Sequence, residues 1–164
     1  DVGTAILLPY LDEQYSFFYL MPHANSTLDA MRNELTGEKL VNVLKGSELD
    51  FVDVSLPKIK AESELDGVKV LSELGVKSLF TDGADLSKIS SSPLKVSKIS
   101  HRALIQVNEE GTEAGAETDI KSVNKSSRPH IVINRPFLYG ILRGDDILFL
   151  GQLASLPIRK PYSR

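Results

Sequence analysis

The sequence predicts an α+β fold whose strands belong to several separate sheets. Three observations carry this. Apolar runs of strand length lie near both ends of the chain, at Ala5–Pro9, Tyr15–Met21 and Ile147–Leu150. Short segments with apolar residues at helical spacing stand between turn residues in the first half. One long stretch, Leu94–Val107, alternates residue by residue as a half-buried strand does.

The elements follow in order. Ala5–Pro9 and Tyr15–Met21, joined by the polar "LDEQ", read as a hairpin. Asn25 or Ser26 is placed to cap a helix carrying Leu28, Met31 and Leu35 on one face. Thr36-Gly37 interrupts, and Leu40, Val43 and Leu44 predict a second short helix before Gly46. Leu49–Ala61 alternates and meets Pro57, which predicts two successive strands with a proline break. Asp66–Gly75 has an Asp cap, Val68, Leu71 and Leu74 inward, and Gly at the stop position. "TDGADLSKISSSP" reads as loop, and Leu94–Val107 as a strand long enough to belong to a large sheet. "HIVINR", "FLYGIL" and "DILFLGQL" are the last strands, with "RGDD" turning the final two into a hairpin.

The totals exclude several classes. With 164 residues, 41% hydrophobic and 25% charged, the chain has the composition of an ordinary globular domain. A net charge of −3 gives no basic face for nucleic acid. No Cys is present, so there is no disulfide framework, thiolate nucleophile or zinc-thiolate site. "AILL" and "ILFL" are far too short to span a membrane. The chain opens without a start Met or signal peptide, on residues that read as the inside of a protein, so a fragment is expected.

Catalytic and metal constellations are missing. His23, His101 and His130 are scattered, with no metal-ligand spacing to another His or carboxylate. "TDGADLS" lacks the alternating ligands and closing Glu of an EF-hand and reads as an Asp/Gly turn. No dinucleotide or nucleotide-phosphate motif occurs, and the basic tail "IRKPYSR" reads as a solvated terminus. No enzyme, metal or cofactor is expected. Two Asn-x-Ser/Thr sequons stand at Asn25-Ser26-Thr27 and Asn124-Lys125-Ser126, and Asn25, at a turn, is the candidate glycan acceptor.

One stretch resists a simple reading. "NEEGTEAGAETDIKSVNK" is small and polar like an exposed loop. Yet Thr112, Ala114, Ala116, Thr118, Ile120 and Ser122 are small or uncharged, while Glu113, Glu117, Asp119 and Lys121 fall on the other parity. That is a strand's pattern inside a loop. "VNEEGTEAGAE" resembles the reactive-loop hinge of the serpin family, in residues Glu109, Glu110, Gly111, Thr112, Glu113, Ala114, Gly115 and Ala116. "IVINRPFLYGI" is similar to the serpin C-terminal signature, through Asn134-Arg135-Pro136-Phe137 and then Leu138, Tyr139 and Ile141. "SLPKIKAESELD" and "LFTDGADLSKIS" also resemble serpin segments in the same order, so the likeness runs from about Ala5 to Gln152.

The resemblance implies the C-terminal part of a single serpin domain over residues 1–164. Barrel-sheet strands, two to three short helices and long main-sheet strands would be followed by a reactive loop at about 108–130 and C-terminal strands at 131–152. The missing N-terminal half would be the partner covering otherwise exposed apolar sheet faces. By the resemblance the protein is a suicide substrate, cut in the loop and then inserting it into the main sheet. Family loops place the cut residue fourteen positions after the hinge Gly and commonly twelve before the signature Phe; from Gly111 and from Phe137 both counts reach Lys125-Ser126. Lys there suits trypsin-like proteases; the rival Arg128 is followed by Pro129. The resemblance pairs Glu109 with Lys58 where the loop enters the sheet, and places His101 beneath the sheet opening, with its partner in the absent half. Gly115 replaces a more usual Ala, and a glycan on Asn124 would obstruct the cut site. An extracellular, secreted protein is expected rather than a cytoplasmic one. The alternative is a non-inhibitory serpin, a carrier, chaperone or storage protein; those often carry bulky, charged or Pro residues on the inward parity of the hinge.

Overall fold

The computed structural model describes residues 2–46, 52–108 and 128–156. They fall into two compact units, Asp1–Pro57 with Ile120–Arg164, and Lys58–Asp119.

The first unit is built on a four-stranded antiparallel sheet, order β1 (Thr4–Pro9), β2 (Tyr15–Met21), β7 (Phe137–Arg143) and β8 (Asp146–Leu153). β2 and β7 are central, and their apolar runs are buried on both faces, which is why neither sequence alternates. On one face Phe18, Leu20, Leu138 and Leu142 pack with Leu28 and Met31 of α1 (Leu28–Glu34) and Leu40 and Leu44 of α2 (Gly37–Lys45). On the other face Phe17, Tyr19, Phe137 and Tyr139 form a chain of rings, with centroids 4.9 Å apart for Phe17–Tyr19 and 5.3 Å for Tyr19–Phe137. Gly140 sits where a Cβ would lie 2.6 Å from the Phe18 ring, so only glycine lets the two strands pair there. The β7–β8 turn uses Gly144 at φ 55°, and Lys45 of α2 reaches Asp145 in the same turn at 2.8 Å. Two further short strands, β3 (Asp53–Ser55) and β6 (His130–Val132), pair in parallel.

The second unit is a two-stranded antiparallel ladder of β4 (Ile59–Asp66) and β5 (Ser100–Val107), followed in chain order after β4 by α3 (Gly67–Glu73). The Asp66 carboxylate accepts from the backbone N–H of Val68 at 3.0 Å, and Gly75 at φ 98° ends the helical stretch. One face of the ladder carries Ile59, Ala61, Leu65, Ala103, Ile105 and Val107; the other carries an Arg102–Glu64 ion pair at 3.2 Å. Lys95 and Asp82 tie the intervening loop at 2.6 Å.

Four local expectations change. The α1 cap is Thr27, whose hydroxyl accepts from Ala30 N at 3.1 Å, rather than Asn25 or Ser26. The strand expected over Leu94–Val107 is shorter, starting at Ser100. Upstream, the backbone is drawn into other bonds: Val96 N donates to Leu79 O, and Ile99 O accepts from Gly67 N. β4 runs past Ala61 to Asp66, because β5 offers it eight partners in register. Leu74 is 75% exposed and does not join the inward face of α3. Large apolar side chains are also exposed on sheet strands, as the family resemblance implies for this chain by itself: Leu104 at 62% on β5 and Leu150 at 58% on β8. Among the described residues no helix is long and apolar enough to cross a membrane.

Candidate functional site

The segment that carries the chemistry expected from sequence runs between β5 and β6. Its hinge, Glu109–Ala116, and the expected cut residues Lys125 and Ser126 lie outside the described residues. What the structure gives are the two places where the segment leaves and rejoins the fold.

Upstream, β5 ends at Val107, the partner of Ile59, the first residue of β4. Lys58 immediately precedes Ile59, and Asn108 and Glu109 immediately follow Val107. The ladder therefore brings Lys58 and Asn108 to the same end of the same two strands. Glu109 itself lies outside the described residues. Three residues lower on the strand than Leu104, His101 stands opposite Leu65 and is exposed.

Downstream, β6 pairs with β3. Asp53 N donates to Pro129 O at 2.9 Å and Ile133 N to Ser55 O at 2.9 Å. Between them Ser55 Oγ and His130 Nε2 lie 2.8 Å apart on the exposed side of the ladder. Arg128 is thus one residue from an anchored carbonyl. The Ser55–His130 contact was not legible in the sequence: the residues are 75 positions apart, and parallel pairing of two three-residue strands leaves no periodic signal.

Asn25 lies on the exposed connection between β2 and α1. Among the described residues no group of three or more His, Asp or Glu could hold a metal ion. The shifted titratable groups are on other elements: burial raises Tyr19 on β2 and Tyr139 on β7, and hydrogen bonds from Ser87 lower Asp85.

The family description that matches the chain is serpin (serine protease inhibitor), over residues 2–156. Among similar proteins, Iripin-2 of Ixodes ricinus is 38% identical over 154 residues, 91% of this chain and 39% of that protein. Serpin B6 of Pongo abelii is 36% identical over 163 residues, 94% of this chain and 43% of that protein. Among solved structures, the native state of the thermophilic serpin tengpin superposes with a TM-score of 0.79 at 32% identity, over 93% of this chain and 42% of that one. The chain thus spans about two fifths of the length of the proteins it matches.

Proposed function

The chain belongs to the serpin family, and from that premise we propose that the full-length protein of which it forms part is a serine protease inhibitor acting as a suicide substrate, cut at Lys125-Ser126. The observation that carries the reading is the alternation of Thr112, Ala114, Ala116, Thr118, Ile120 and Ser122 in a segment that leaves from β5 and returns at β6. Small uncharged residues on one parity let that face be buried without stranding a charge. Glu113, Glu117, Asp119 and Lys121 stay on the solvent side.

The mechanism we propose is the one that membership of the family implies, and the alternation suits it. Before the cut the proposed trap holds its driving force in a metastable fold, in which a sheet still lacks a strand. A protease attacks the Lys125 carbonyl and forms an acyl-enzyme. Insertion of roughly fourteen residues at about 3.3 Å each carries the tethered enzyme on the order of 45 Å. New ladder hydrogen bonds and buried side chains drive that movement. Distortion of the oxyanion hole and triad then stops deacylation, since both depend on close geometry. The inhibitor contributes no catalytic group. Lys58 and Glu109 pair where insertion begins, and His101 lies below that point.

Lys125 selects proteases with a carboxylate at the base of the specificity pocket, the trypsin-like class. Arg128 is disfavoured twice over. Pro129 follows it, and the Pro129 carbonyl is already engaged by Asp53. Replacing Lys125 by Ala in the full-length protein lowers the rate of trypsin inhibition on the order of 100-fold or more, while Arg128→Ala leaves it within a few-fold. Progress curves with trypsin distinguish the two variants. The reverse ranking would move the reactive bond to Arg128. Equal, undiminished inhibition by both would place it elsewhere.

A further inference from the structure

We propose that Asn25 is an acceptor for an N-linked oligosaccharide, attached on the connection between β2 and α1. The sequence supplies the triplet Asn25-Ser26-Thr27, with no proline at its centre. The structure supplies access. Pro22 is buried at the end of β2 and Leu28 at the start of α1, while the five residues between them, His23 to Thr27, are all exposed. Ser26 N donates to His23 O at 2.9 Å, closing a turn with Ala24 and Asn25 at its centre. A branched sugar fixed there displaces no packed side chain.

Thr27 serves two purposes. Its hydroxyl is the third residue of the acceptor triplet and also the cap of α1, accepting from Ala30 N at 3.1 Å. Transfer therefore precedes completion of that helix end. In the transfer the Asn25 amide nitrogen bonds the anomeric carbon of a lipid-diphosphate-linked oligosaccharide. The lipid diphosphate leaves, and the amide loses one proton. The second triplet, Asn124-Lys125-Ser126, stands directly before the proposed reactive bond, where a bulky sugar would keep a protease away. Asn25 is free of that conflict, and its modification does not depend on the inhibitor reading.

The test directs the full-length protein into the secretory pathway of a eukaryotic cell and maps peptides after amidase removal of the glycan in isotopically heavy water. The expected result is heavy-labelled Asp at position 25 in the secreted wild-type protein. Asn25→Gln abolishes the label, and Thr27→Ser keeps it. Thr27→Asp also abolishes it while preserving a capping carboxylate, which separates loss of the acceptor from loss of the helix cap. Secreted wild-type protein with Asn25 unmodified overturns the proposal. Modification at Asn124 alone overturns it as well, and would count separately against the reactive bond.

Discussion

Tyr19 is fully buried, and its hydroxyl finds no hydrogen-bond partner among the described residues. Burial, with a smaller contribution from Tyr10, pushes its pKa up to about 12. Below the ordinary tyrosine value of about 10, folded and unfolded chains both keep the proton, and the group leaves stability unchanged with pH. Above it the unfolded chain releases a proton that the folded chain retains, so stability falls from about pH 10 towards 12. Tyr19→Phe removes an unsatisfied polar atom while keeping the ring between Phe17 and Phe137. It should therefore melt no lower than wild type at pH 7 and lose less stability between pH 10 and 12. Tyr139, also raised by burial, leaves a residual slope. Thermal melts across that range decide the matter, and an unchanged alkaline slope would contradict the assignment to Tyr19.

Among the elements, the stretch between β5 and β6 carries the functional argument, and its two parities make different predictions. Ala116→Arg puts a charge on the side that the proposed insertion would bury, so the protease should cleave and escape before it is trapped. The number of inhibitor molecules consumed per protease inactivated then rises about tenfold or more. Glu117→Arg, on the solvent parity, leaves that number near the wild-type value. A titration in which both variants behave alike would remove the parity argument. The same local patterns made most elements readable from sequence. Asp66 and Gly75 marked both ends of α3, Pro57 separated β3 from β4, and the Arg143–Asp146 turn fixed the last hairpin. The α1 cap was ambiguous because Asn25, Ser26 and Thr27 are all good cap formers in a row, and only backbone geometry selects Thr27. The length of β5 is not legible because alternation records side-chain environment; whether Val96 and Ile99 bond to a strand or to Leu79 and Gly67 depends on distant chain. The parallel β3–β6 pair, with its Ser55–His130 contact, left no signal for the same reason.

For the molecule as a whole, the chain carries the two strands between which the proposed reactive segment runs, and the proteins it resembles extend well beyond it. Leu65, Leu104, Leu148 and Leu150 are exposed on β4, β5 and β8. The proposed inhibition by insertion is accordingly tested on the full-length protein. The most direct measurement mixes that protein with trypsin, runs a denaturing gel, and sequences the small peptide released from the C-terminal side of the cut. The account predicts a covalent complex that survives detergent and a peptide beginning at Ser126. Complete cleavage with no stable complex would contradict it and leave the segment a substrate on a non-inhibitory serpin.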